Sequence, residues 1–507
     1  MKRSDLFAAF AVALLTVAGV AIAQDASNDP AFGTNGHALV DWDPPTGTAT
    51  DAARAMAVQP DGRIVLGGDF VVVPSGGTGF YAGCALTRLL ANGQIDIGFG
   101  DNGRIVVNFP APVPPDNAGV INGCIGQSVA IDAQGRILIA AWQNIAYLDG
   151  PPPGGQYQQL PQHIAVARFT ADGIADTSFA ADGRTHFNFQ SEGMLGVQSD
   201  TPQLLALADG KLFVVATVRP EVLAYENQRV GTARLNVNGT LDSTYSGNGK
   251  RILSSETGRA WTANHATLDR AGRILITGAY LGADSQPRMW LGRLLANGST
   301  DSSFGTFGRW SVSLQLPAGA QAAASYAIGV DAQDRILLAG ASLVGGQQSD
   351  IHMTLVRRTA ANAFDNTFGT NGQVVIPFQY ASQNVFSEAV GIVQDTSGRL
   401  VVSGRMSRPV GEGHEYLFAS ARVNSVGALD TSYWSGGRRV VDTSFLTPGT
   451  RQDLAARGAI ALTPSGRILI GGAVRRGFSG AQPNDDFTVL ALRGAPATDQ
   501  IFSNGFE

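Results

Sequence analysis

The chain has 507 residues, 44% of them hydrophobic and 15% charged, which excludes wholesale disorder. Its 63 glycines and 23 prolines interrupt the backbone at about one residue in six and exclude an architecture of long helices, so the fold should be mostly β. A net charge of -5, with no run of Lys or Arg able to neutralise a phosphate backbone, excludes nucleic acid as an expected partner.

The first element in chain order is a leader. Lys2 and Arg3 precede an apolar stretch from Leu6 to Val20, and Ala21-Ile22-Ala23 places small residues at the two positions a signal peptidase reads. Cleavage is expected before Gln24, giving an exported chain: periplasmic, cell-surface or extracellular. The apolar run is shorter than the roughly 20 residues that span a bilayer. No later stretch approaches that length without Gly, Pro or a charge, so no membrane span is expected in the mature chain. In an oxidising compartment Cys84 and Cys124, the two cysteines of the chain, can form a disulfide; two buried free thiols are the alternative.

From residue 29 onward one pattern recurs: Asp, two residues, an aromatic, three residues, Gly. It occurs as DPAFGTNG from Asp29, DIGFGDNG from Asp96, DTSFAADG from Asp176 and DSTYSGNG from Asp242, then DSSFGTFG from Asp301, DNTFGTNG from Asp365 and DTSYWSGG from Asp430. The spacings are 67, 80, 66, 59, 64 and 65 residues, which is the signature of one repeat array. In each unit an alternating strand such as GRIVVNF follows the motif. Two apolar runs about a tight turn come next, as in SVAIDAQGRILIAA, and then a further strand such as HIAVARF. The turn recurs as QPDGR, DAQGR, ADGK, DRAGR, DAQDR, DTSGR and TPSGR; Gly suits its positive φ, and Asp334 replaces it in the fifth copy.

Four strands per unit and seven units predict a seven-bladed β-propeller. A linear solenoid would also stack such units, but the chain ends favour a closed ring. The first unit begins with a lone strand, GHALVDW, and the last stops after FTVLALR without a fourth strand. Residues 36 to 43 are therefore expected to form the outer strand of the seventh blade, whose other strands come from about 458 to 493, leaving no open edges.

The three segments D-x-[ST]-F-G-x-x-G, P-D-G-R-I-V-L-G-G and a strand ending R-L-x-x-x-G recur in order over residues 29 to 494, and together they resemble the delta-60 repeat. The resemblance implies an exported bacterial, propeller-like repeat protein and no defined reaction. The resulting division is a signal peptide over 1–23, one propeller domain over 24–494 and a tail over 495–507. That tail contains TDQIFSNGFE, which resembles a terminal tag of some exported bacterial proteins.

An Arg stands eight residues before each motif Asp: Arg88 and Asp96, Arg168 and Asp176, Arg234 and Asp242, Arg293 and Asp301, Arg357 and Asp365, Arg422 and Asp430. Ring closure would supply Arg493 for Asp29. As functional groups these would be seven anion or metal sites. As structural pairs they would lock the third strand to the turn after it, with the Asp capping that turn, and this reading is preferred. The Phe or Tyr three residues after each Asp is expected to pack blade against blade. His37, His163, His186, His265, His352 and His414 are scattered with no H-x-x-x-H pair, against a locally built zinc site. His265 lies near an innermost strand and is the candidate to face the central channel. No G-x-S-x-G elbow is present, and the acidic turns lack EF-hand spacing, so no catalytic residue and no cofactor is predicted; calcium is possible but unsupported. Ser299-Thr300-Asp301 begins like the Asp-box of sialidases, but the Gly and Trp that should follow are out of position.

With the hairpin's first strand innermost, the short uniform turns share one face. The variable connections share the other, among them PAPVPPDNAGVINGCIG and QNIAYLDGPPPGGQYQQLPQH. Both cysteines belong to that second face, where a disulfide would staple the loop of residues 110 to 126. The expected function is a non-catalytic binding or interaction module whose protein or carbohydrate partner meets the variable-loop face. A metal-dependent lactonase, lyase or hydrolase at the central channel is the rival reading, and a surface structural protein retained through its tail is a third.

Overall fold

The computed structural model describes residues 26–42, 48–73, 81–110, 121–148, 157–221, 227–253, 260–282, 284–304, 311–313, 316–317, 319–411, 413–441, 454–479 and 482–494. The segment expected to be a leader, with its expected cleavage site, the tail from 495, and residues 111–120 of the long loop lie outside them.

Within the described residues the strands form seven antiparallel blades on a four-stranded plan, two of which count a fifth short strand (Tyr157–Gln159 in blade 2 and a split inner strand in blade 3), with one separate two-stranded hairpin and two single-turn 3-10 segments. Blade 1 shows the order: Thr48–Val58 innermost, then Ile64–Val73, Tyr81–Leu89 and the short outer Arg104–Val107. The seventh sheet is built from both chain ends. His37–Val40 pairs with Gln482–Leu492, His37 opposite Leu490 and Val40 opposite Phe487, and Ile468–Ser479 and Leu454–Leu462 complete it. The inner strand of blade 7 packs on that of blade 1, so the ring is closed as the unpaired ends of the sequence required.

Apolar side chains on both faces of each sheet explain why runs such as LFVVATVR and HIAVARF are buried at every position. Seven apolar clusters are described, one between each pair of neighbouring blades, and the cluster joining blades 7 and 1 contains Phe32, Val40, Phe487 and Met56. Closing the ring therefore completes the last of seven equivalent interfaces as well as a sheet.

Towards the axis the inner strands carry a bulge at equivalent positions: between Ala53 and Ala55, Gly126 and Ser128, Ala263 and His265, Ser325 and Ala327, and Ala389 and Gly391. In blade 3 the inner strand is interrupted between Val197 and Gln203. Opposite the bulge, the second strand of four blades has Gly68, Gly278, Gly340 or Gly404. A Cβ there would stand 2.0 Å or less from the carbonyl oxygen of Ala52, Thr262, Ala324 or Glu388. That close approach accounts for the glycine in the recurring I-x-x-x-G of the second strand. Asp334 keeps the left-handed conformation of the turn it occupies, with φ +59, as a short polar side chain can.

Candidate functional site

On the face of the uniform turns, each motif is a closed electrostatic unit. Nε of Arg88, Arg168, Arg234, Arg293, Arg357 and Arg422 stands 2.7 to 2.8 Å from Oδ2 of Asp96, Asp176, Asp242, Asp301, Asp365 and Asp430 respectively. The other oxygen, Oδ1, accepts the backbone N–H two residues on. Where that residue is Ser or Thr, Oδ1 also accepts its hydroxyl at 2.5 to 2.6 Å, which is why the motif reads D-x-[ST] in most copies. The guanidinium lies over the motif's aromatic ring, 4.3 to 5.2 Å from its centre. Its Nη1 then reaches the next blade: Arg168 donates to Val237 O at 2.7 Å and Arg357 to Ser425 O at 2.7 Å, and Arg88 to Ala171 O likewise. The aromatic packs the same way, Phe32, Phe99, Phe179 and Tyr245 closing on Gly93, Gly173, Gly239 and Gly298 of the following blade.

Burial alone would raise these carboxyls. Hydrogen bonds and the neighbouring cations outweigh it and hold Asp29, Asp176, Asp242, Asp301, Asp365 and Asp430 below the usual carboxylate range. With both oxygens engaged, the carboxylates are occupied in joining strand, turn and neighbouring blade.

A second cation, from the tight turn of the same blade, also addresses most of these carboxylates. Arg63, Arg136, Arg335 and Arg399 stand 3.4 to 3.5 Å from Asp96, Asp176, Asp365 and Asp430, and Lys211 stands 2.7 Å from Asp242. At the closure this second cation takes over. Asp29 is bonded to Arg467 at 2.6 Å rather than to Arg493, which acts on it through charge. The turn residue accounts for the reach of Arg467. Asp132, Asp331 and Asp395 hold their turn arginines by Nε at 2.6 Å, whereas Thr463 has no charge and leaves Arg467 free to turn to Asp29. The recurring Arg or Lys after each turn Gly or Asp carried this signal in the sequence.

Cys84 and Cys124 are bonded, with Cα atoms 5.3 Å apart, and tie the third strand of blade 1 to the inner strand of blade 2. Cys124 lies within Ile121–Ile131, opposite Gln143, rather than in the loop before it.

His265 stands at the inner-strand bulge of blade 4, buried. Its Nδ1 accepts the N–H of Ile328 in blade 5 at 3.3 Å, and its Nε2 lies against Gly458 of blade 7, so the imidazole reaches from blade 4 to the inner strand of blade 7. Towards the variable-loop face, Arg54 on the bulge of blade 1 pairs with Asp69 and feels the charges of Asp200 and Asp485. Among the described residues, no group of three or more His, Cys, Asp or Glu side chains is placed to hold a metal ion.

The variable-loop face carries a cleft of about 280 Å³ between blades 5 and 6. Its walls are the 3-10 turn Gln348–Asp350, the small hairpin formed by Phe378–Tyr380 and Gln383–Val385, and the tip of the long hairpin formed by Leu400–Val410 and Gly413–Val423. Tyr416, Phe386, Asn384 and Gln348 are among its lining residues. Sequence reasoning missed them, because they recur in no other unit.

Residues 59–99, 207–245 and 272–304 match the family model described as a domain of unknown function (DUF5122) beta-propeller. The matches fall on blades 1, 3 and 4, and each ends on the motif aromatic: Phe99, Tyr245 or Phe304. The chain is a β-propeller repeat protein. No curated protein matches the propeller by sequence. Among solved structures it is similar to the NanB sialidase of Streptococcus pneumoniae, with TM-score 0.41 and 12% identity over 90% of this chain and 70% of that one. It is also similar to the GH93 alpha-L-arabinofuranosidase of Fusarium graminearum, with TM-score 0.34 and 11% identity over 59% of this chain and 82% of that one. A glucose dehydrogenase gives TM-score 0.37 and 10% identity over 72% and 95%. None of these values speaks to a substrate.

Proposed function

We propose that the protein is an exported, non-catalytic binding propeller whose partner, a protein or a carbohydrate, meets the variable-loop face. The observation that carries this reading is the unequal treatment of the two faces. Side chains of the uniform face are consumed by ion pairs and interblade hydrogen bonds, while the departures from the repeat gather on the other face and enclose a cleft. Lys2, Arg3, the apolar stretch to Val20 and Ala21-Ile22-Ala23 support export as a delta-60-like protein, and a disulfide between blades suits an oxidising compartment.

A thermal-shift screen of the purified protein with calcium, zinc, sugars and lactones tests the reading, since a ligand that binds the native state raises the melting temperature. A shift with a sugar or a protein partner, unchanged by chelator, is expected. A metal-dependent shift of several degrees, or turnover of a lactone, would overturn it in favour of an enzyme at the channel mouth around Arg54 and Asp69.

A further inference from the structure

The cleft between blades 5 and 6 is built by three departures from the repeat that meet at one place. The 3-10 turn Gln348–Asp350 lies in the connection between the second and third strands of blade 5. The hairpin of residues 378–385 sits in the crossing to blade 6, its turn made by Ala381 and Ser382, both at positive φ. The second and third strands of blade 6 then run on to 11 residues each, past the ends of their counterparts in blade 5. Tyr380 and Val410, on two of these extensions, are exposed large hydrophobics.

Apart from the imidazole of His414, the lining carries no Asp, Glu, Lys or Arg side chain. Tyr416 and Phe386 meet edge to face at 5.8 Å, and the amides of Gln347, Gln348 and Asn384 stand around them with the Ser407 hydroxyl. The ions beside the cleft are occupied with each other: Arg405 bonds Glu388 at 2.7 Å and stacks on Tyr416 at 4.6 Å, and Arg408 pairs with Glu415. The Asp350 carboxylate accepts the N–H of Gln347. Among these groups an anionic ligand would find the His414 imidazole but no Arg outside an ion pair. Amides that both donate and accept suit a ligand whose hydroxyls do the same, and aromatic faces suit its C–H surface. The volume is close to the ~300 Å³ at which small-ligand pockets begin.

We propose that this cleft binds a neutral carbohydrate, its ring against Tyr416 and Phe386 and its hydroxyls on the amides of Gln348 and Asn384. The proposal rests on the reading that the variable-loop face is the binding face, and it names the ligand class for one place on it.

The test is calorimetric titration of the full chain with cellohexaose, xylohexaose, maltohexaose and arabinohexaose, and with hexagalacturonic acid as the charged comparison. At least one neutral hexasaccharide should bind and the acidic one should not. Asn384→Ala and Gln348→Ala, both at exposed positions, should each weaken binding about five-fold or more, as expected for one lost hydrogen bond. Tyr416→Phe should bind nearly as wild type, whereas Tyr416→Ala should abolish binding. Its melting temperature shows whether the Arg405 stack has gone with it, and the two exposed variants decide if it has. Absence of binding by all four neutral sugars, preference for hexagalacturonic acid, or binding that ignores both Asn384→Ala and Gln348→Ala would overturn the proposal. In the last case, loss of binding on altering another loop of the same face would leave the wider reading standing, and loss on altering the uniform face would sink both.

Discussion

On the uniform face, the turn after the third strand of blade 5 is fixed by Arg357. It bonds Asp365 at 2.8 Å, lies over Phe368 and donates to Ser425 O in blade 6 at 2.7 Å. On the variable-loop face of the same two blades, Asn384 and Gln348 stand exposed at the mouth of a cleft. Both faces are ends of the same strands, whose ladders are complete without either set of turns. One end holds the blades in register with each other through a device that repeats from blade to blade; the other takes insertions, because its interblade ties, such as the Cys84–Cys124 disulfide and the bond from Met353 N to Ser387 Oγ, differ from blade to blade. The exposed aliphatics of the uniform face, Ile97, Ile174, Val237, Leu295 and Val426, belong to five different blades and present no contiguous patch.

The comparison breaks most readily at the ion pairs. Arg357→Ala leaves the Asp365 carboxylate buried without its principal partner, and Arg335 at 3.5 Å replaces it only in part. A loss of about 3 to 5 kcal/mol is expected. Asn384→Ala on the other face should change stability by less than about 0.5 kcal/mol. Denaturant unfolding of the two variants measures the contrast, and equal effects would mean that the uniform face does not hold the ring.

Acid should act on both faces. Burial and the Arg439 charge hold His37, on the closing strand, at about 4; burial and His186 hold His163, where the third strand of blade 2 leaves the variable-loop face, also at about 4. Each ring nitrogen Nε2 stands 3.1 Å from an amide Nδ2, of Asn28 and Asn188 respectively, an arrangement that suits the neutral imidazole. Because both folded values lie below the unfolded 6.5, the unfolded chain binds the protons first. The stabilisation is therefore present above pH 6.5 and is lost as pH falls towards 4, by on the order of 3 kcal/mol per histidine. Melting temperatures measured from pH 7 to pH 4 should fall, and His37→Gln and His163→Gln should each flatten the curve. An unchanged slope in His37→Gln would mean that the closing strand is not the acid-sensitive element.

What could be read in the sequence followed the repeat. The motif from Asp29 to Asp430 counted the blades, and GHALVDW, lacking its sheet, announced the closure. Arg493 failed as the partner of Asp29 because the eight-residue spacing was carried across the closure, whereas Asp29 is bonded there by Arg467, whose turn has Thr463 where the turns of blades 2, 4, 5 and 6 have Asp. The cleft was not legible for the opposite reason. Gln348, Asn384 and Tyr416 come from three connections that share no pattern with the other units, and only the packing of blade 5 on blade 6 brings them together. Repetition makes structure readable and leaves function, where it departs from repetition, unread.

The smallest expected effect tests whether the uniform face is as uniform as it looks. In blade 4 the turn arginine Arg273 does not approach Asp301; it bonds Asp269 at 2.6 Å and leans to Asp334 of blade 5 at 3.6 Å. Asp334 fills the Gly position of its turn at φ +59, a conformation that costs an L-residue about 1 kcal/mol. Asp334→Gly removes that cost, loses a long ion pair of little worth, and gives the unfolded chain about 0.4 to 1 kcal/mol of extra freedom. The balance is a gain of no more than about 0.5 kcal/mol, read as a small rise in melting temperature. Arg273 would then be free to turn to Asp301 as Arg136 turns to Asp176. A loss above 1 kcal/mol would show instead that the Arg273–Asp334 contact is a true tie between blades 4 and 5, replacing at this one interface the second cation that the others use.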